Sequence, residues 1–133
     1  MRVLAPIFEE FGVDMVFSGH GHFYERHRPL QFRLAKGRAG QKLRPEGETI
    51  LDQTYDGKKQ NRPVGVIYLV TGAGGTLTTP RMRPSVKGMS ESTAKIVDDR
   101  QTFTLLDIAG RLLTVRQLDV DGREVDRFII DKR

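Results

Sequence analysis

A chain of 133 residues with a formal charge of +5 is one domain's worth, long enough to bury a real core. Its 38% hydrophobic and 29% charged residues are those of an ordinary globular chain, and no apolar run approaches the roughly 20 residues that cross a bilayer. The lack of cysteine excludes a disulfide framework and a thiolate metal site, and the start MRVLAPIFEEFG lacks the segments of a secretory signal; the compartment stays open.

Leu4, Ile7, Phe8 and Phe11 recur at i, i+3, i+4 and i+7, which predicts an amphipathic helix with that stripe on the core. Glu9 and Glu10 take the other side, Pro6 fits only in the first turn, and Gly12 is placed to end the helix. VDMVF then reads as a short buried strand that Gly19 stops. From Gln31 to Pro63, Gly37, Gly40, Gly47, Gly57 and Pro45 break every period, so a long loop is expected at about 36–62. Order returns at VGVIYLVTGAGG, a β-branched run that stops at glycines. A second loop is expected over TLTTPRMRPSVKGMSESTAK, where Pro80 and Pro84 exclude a central strand. QTFTLLDIA, RLLTVRQLD and REVDRFIID are three strand-like stretches with turns at Ala109-Gly110 and Asp121-Gly122. The second turn carries the type I′ signal, so an antiparallel meander is expected. The fold class is α/β (α+β, strand-rich), with one N-terminal helix and a largely antiparallel sheet.

The positive charge is concentrated. Arg26, Arg28, Arg33, Lys36, Arg38, Lys42 and Arg44 follow one another with no acidic residue between. Such a segment attracts phosphate-bearing molecules, from small esters to nucleic acid, or is simply a solvated basic loop.

The stretch VFSGHGHFYERHRPL holds the chemistry. His20 and His22 sit one residue apart behind an apolar run; in extended backbone both imidazoles would point to one side, about 7 Å apart. Two imidazoles so placed can each ligate one member of a metal pair. Gly19 and Gly21 let the backbone turn tightly and come close to the ions. The carboxyl end of a strand is also where open α/β sheets place their sites.

The block FGVDMVFSGHGHFYERHRPL resembles the last signature of the metallophosphoesterase (calcineurin-like phosphoesterase) superfamily, in its purple acid phosphatase-like branch. The order helix, VD strand, Gly-His-x-His loop and aromatic-Tyr-Glu-Arg run is that of the branch. GVIYLVTGAGG and the closing DVDG turn and FII strand resemble the segments that follow there. The resemblance implies a four-layer αββα sandwich and a metal-dependent phosphatase-like hydrolase with two divalent or trivalent ions, iron, manganese or zinc. It assigns His20 and His22 as metal ligands. Gly19, Gly21, Tyr24, Glu25 and Arg26 match the residues that buttress the site, and Arg28 and Arg33 are candidate anion-binding residues. His27 lies beyond the motif and reads as a surface histidine.

The rest of such a site is missing from this sequence. Before His20 there is one aspartate, Asp14, and neither asparagine nor histidine; no histidine follows His27. Nothing here supplies the bridging carboxylate that offsets the charge of two cations. Residues 1–133 are therefore expected to be a single partial domain, the C-terminal half of a phosphoesterase, inactive alone and leaving an apolar sheet face uncovered. Its expected partners are a phosphate ester, the missing N-terminal half and, in isolation, a second copy of the chain, with no membrane. The competing reading is a non-catalytic β-rich module holding a polyanion through the basic loop. Nucleic acid is disfavoured, because no aromatic residue lies between Phe32 and Tyr55 to stack a base.

Overall fold

The structure, a computed structural model, describes residues 3–34, 47–77 and 90–132. Helix α1 spans Ala5–Glu10 with proline in its first turn, where the missing N–H costs nothing. It closes in a Schellman arrangement: Val13 N–H donates to the Phe8 carbonyl at 2.9 Å and Gly12 N–H to the Glu9 carbonyl at 3.1 Å. Gly12 takes the left-handed φ of 62° that this cap needs. Glu9 then accepts the Phe32 N–H at 2.6 Å, and Ala5 is buried. The stripe expected on the core is not there: Leu4, Ile7 and Phe11 are exposed, Phe11 at 76%. The helix docks through its small residue and a polar contact, and nothing among the described residues covers its apolar side.

Nine strands follow among the described residues, and the one sheet expected is three. Strands β1 (Met15–Ser18), β2 (Tyr24–His27), β5 (Ile67–Thr71) and β6 (Thr93–Val97) form a four-stranded sheet in the order β1-β5-β2-β6. In it β1 and β5 run parallel, Met15 opposite Ile67, and the other pairs are antiparallel. Strands β3 (Leu30–Leu34) and β4 (Gly47–Leu51) pair as a hairpin. Strands β7 (Thr102–Ala109), β8 (Leu112–Asp119) and β9 (Glu124–Asp131) form the expected meander. The fold is thus strand-rich α/β and mostly antiparallel, as its sequence predicts.

Three corrections concern the loops. Thr93–Val97 begins inside the second expected loop, yet forms β6 by pairing with β2, and residues 78–89, with Pro80 and Pro84, lie outside the described part. Gly47–Leu51 lies inside the stretch expected to be loop, yet forms β4; residues 35–46 lie outside the described part. The remainder, 52–63, is built by side chains. Asp52 accepts the N–H groups of Thr54, Tyr55 and Val64, and the Tyr55 hydroxyl donates to the Ile129 carbonyl at 2.8 Å. Burial works against the Asp52 carboxylate, but the Thr54 hydroxyl and these N–H groups outweigh it and hold it below the usual range. The turn at Asp121-Gly122 is not type I′, which needs two positive φ values: only Gly122, at 77°, has one. The Asp119 carboxylate instead accepts Asp121 N–H at 3.0 Å and Arg123 N–H at 2.8 Å, and so supports a wider loop.

The core lies between the four-stranded sheet and the meander. Tyr24, Ile67 and Leu69 pack with Val115, Phe128 and Ile130, and Tyr55 closes the cluster. Each such side chain contributes about 1.5–3 kcal/mol through its burial. A largely buried ion pair crosses the same space: Arg26 Nε donates to Asp126 Oδ2 at 2.7 Å, and the guanidinium lies 4.8 Å from the Phe128 ring centre. The Tyr24 hydroxyl donates to the same Asp126 at 2.8 Å. Burial, reinforced by that carboxylate, pushes the Tyr24 pKa far up and keeps its proton in place. Nearby, Thr71, Thr104, Gln117 and Thr102 form a chain of side-chain hydrogen bonds between the two sheets.

Candidate metal centre

Because β1 and β5 are parallel, their carboxyl ends share one edge, with Ser18 opposite Val70. The Ser18 hydroxyl donates to the Leu69 carbonyl at 3.0 Å and pins the end of β1. The chain then turns sharply. Gly21 N–H donates to the Gly19 carbonyl at 2.9 Å across His20, whose φ is 71°. An i to i+2 hydrogen bond around a positive φ is a γ-turn of the strained kind. For a residue with a Cβ it costs about 1–3 kcal/mol, and it persists where the surroundings impose it.

Here the surroundings are the second glycine turn, at the end of β5. A Cβ on Gly72 would collide with the Gly21 carbonyl, and one on Gly21 would press on Phe23 and Val70. The two loops touch backbone to backbone, which only glycine permits. From below, the buried Ala73 accepts Thr102 N–H at 3.2 Å, and the Gln101 amide donates to the Gly75 carbonyl at 2.8 Å. A rigid platform therefore holds His20 and His22, both exposed to solvent. They are not in extended backbone, as the two-residue spacing suggests, but on either side of the turn's exit.

The residues after the loop point inward. Tyr24 and Arg26 run into the inter-sheet space and meet Asp126, while Glu25 on the opposite face accepts the Thr93 hydroxyl at 2.6 Å. Arg28 follows the far end of β2 from the loop, on the order of 13 Å along the strand. Arg33, on β3, stands opposite Glu48 in the hairpin. The fold therefore does not gather Arg28 and Arg33 beside the histidines. His27 is not a surface histidine: only 23% of its side chain is exposed. Sequence reasoning missed Asp126, although its alternation with Phe128 and Ile130 places it on the inward face. It also missed the demand on Gly72, signalled only by the cluster of glycines.

As a donor set the described residues do not fit a pair of metal ions. Among them no three histidine, aspartate or glutamate side chains come together as a metal site. Asp14, the aspartate nearest the loop in sequence, is engaged with Lys132 at 2.7 Å. Two neutral imidazoles bring no negative charge to offset two cations.

No family model matches the chain. Over 71 residues, 53% of its length, it is 32% identical to two uncharacterized proteins of Mycobacterium tuberculosis, MT2654 and Rv2577. The match spans 12% of each of them. Among solved structures it is similar to purple acid phosphatase PPD1 from yellow lupin (Lupinus luteus) seeds, with a TM-score of 0.65 and 20% identity. That likeness covers 97% of this chain and 19% of the lupin one. The chain thus has the fold of one segment of that lupin protein.

Proposed function

We propose that the chain is the C-terminal, histidine-bearing part of a domain that hydrolyses phosphate esters. His20 and His22 ligate metal in it, and the remaining ligands, carboxylates among them, come from outside these residues. The observation that carries the reading is the strained turn at His20, wedged against Gly72 at the carboxyl ends of β1 and β5, in a fold like that of a phosphatase segment. Strain of this kind is maintained where a side chain must be aimed.

In this reading the ions, iron, manganese or zinc, supply the Lewis acidity when bound. The chain's own contribution is to aim two imidazoles from a fixed loop, while Tyr24, Arg26 and Asp126 keep β2 seated behind it. The exposed Leu4, Ile7 and Phe11 of α1 and Leu106 and Ile108 of β7 are then faces for the rest of the domain. Alone, the chain uses them to pair with a second copy.

The test is hydrolysis of p-nitrophenyl phosphate and its bis ester by the purified chain with added manganese, zinc or iron. A His20→Ala/His22→Ala double variant sets the background. The expected result is no turnover above that variant. Metal-dependent turnover lost in the variant would overturn the view that the other ligands lie elsewhere.

A further inference from the structure

A second cluster of reactive groups lies on the opposite face of the four-stranded sheet from the core. The Ser92 hydroxyl is 2.9 Å from His27 Nδ1, and His27 Nε2 faces Glu25 Oε1 at 3.7 Å. The Thr93 hydroxyl donates to that same carboxylate oxygen at 2.6 Å and fixes it. Ser90 Oγ stands 2.8 Å from Ser92 Oγ. Hydroxyl and imidazole are within hydrogen-bond reach, and the carboxylate lies at ion-pair distance on the far side of the ring, the order of nucleophile, base and orienting acid.

The line opens into a cavity of about 410 Å³ between this sheet and the β3–β4 hairpin. Ser92, His27 and Tyr68 line it, with an apolar wall that includes Leu30, Phe32 and Leu51. Arg26 pairs with Leu69 across β2 and β5, and His27 and Tyr68, the next residue on each strand, both line the cavity. The Tyr68 hydroxyl is buried and has no hydrogen-bond partner among the described residues. Burial raises its pKa, so it is a protonated donor. A buried, unspent donor in the same cavity as a nucleophile and its base is what an oxyanion requires.

We propose that this is a second hydrolytic site, independent of His20 and His22, which cleaves carboxylic esters with a small apolar acyl group. Ser92 Oγ attacks the ester carbonyl and its proton passes to His27 Nδ1, with Glu25 stabilising the imidazolium from the Nε2 side. Tyr68 donates to the oxyanion. The tetrahedral intermediate collapses, the C–O bond to the alcohol breaks, and His27 returns the proton to the departing alcohol. Water, deprotonated by His27, then attacks the acyl-serine; the carboxylic acid leaves and Ser92 recovers its proton. The apolar wall sets the class of acyl group, and no co-reactant other than water is needed.

The experiment treats the folded 133-residue chain with an alkyl fluorophosphonate, maps the adduct by peptide mass spectrometry, and follows p-nitrophenyl butyrate hydrolysis. The expected result is one adduct, on Ser92, formed equally in EDTA, which separates this site from any metal chemistry at His20 and His22. His27→Gln is expected to slow labelling about a hundredfold or more, the usual contribution of a general base. Ser92→Ala is expected to abolish both adduct and ester turnover. Mapping needs only the wild-type chain, so it decides even if a variant fails to fold. No adduct on Ser92 in the folded chain, or labelling at an unchanged rate in a folded His27→Gln chain, would overturn the proposal.

Discussion

One face of the meander shows two different interiors. Over β8 and β9, Val115, Phe128 and Ile130 are each 1% exposed beneath Tyr24, Ile67 and Leu69. One strand further, Leu106 and Ile108 of β7 pair directly with Val115 and Leu113 on that same face, yet are 43% and 76% exposed. Leu106 and Ile108 occupy inward-facing register positions just as Val115 and Leu113 do. What differs is the cover, and α1 repeats the lesson with its uncovered Leu4, Ile7 and Phe11. Periodicity says which face is meant to be buried; only the neighbouring layer says whether it is.

The largest way to break this contrast is Phe128→Ala. It removes a ring that packs in the core cluster and under the Arg26 guanidinium, and should cost about 3–5 kcal/mol. Urea unfolding followed by circular dichroism measures it; a loss below 1 kcal/mol would mean that the two sheets do not share a core. Next comes Gly72→Ala, whose Cβ must push away the Gly21 carbonyl. A cost of about 1–3 kcal/mol is expected, with altered imidazole resonances for His20 and His22 in the NMR spectrum. Unchanged resonances would show that the platform does not set the histidine loop.

A smaller effect separates the ordered segment at 52–63 from a passive loop. The folded-state pKa of Asp52 lies below its ordinary value, so its stabilisation is present above the usual carboxylate range. It is lost as pH falls through the lowered value. The wild-type chain should therefore lose more stability between pH 7 and pH 3 than Asp52→Asn does, measured as urea midpoints. Equal losses would remove the anchoring role. Smallest in stability is Ile108→Lys, within about 0.5 kcal/mol because its side chain is already in water. Light scattering should nevertheless show weaker self-association for it. A wild-type chain that is monomeric at every concentration would contradict the pairing.

The sequence told most where side-chain alternation alone decides. The meander, its Gly110 turn with φ 59°, and a strand before the Gly-His-Gly-His loop are where the pattern puts them, although β1 is half-buried and not buried, with Phe17 exposed. It misled at α1, because the apolar stripe there expects a layer that the described residues do not contain. Strand β4 escaped notice because GETIL is short, begins with glycine and finds its order only by pairing with β3. At the candidate site the residue types were legible and the geometry was not. His20's positive φ follows from contact with Gly72, more than 50 positions away, and the alignment of Ser92, His27 and Glu25 follows from the pairing of β2 with β6.

The proposed function makes His20 and His22 half of a metal centre aimed by one loop. Zinc titration of the purified chain, followed through the imidazole resonances of all three histidines, tests it most directly. His20 and His22 are expected to shift together, His20→Ala to weaken the response of His22, and His27 to stay where it is. No response of His20 and His22, or one shared equally by His27, would contradict it.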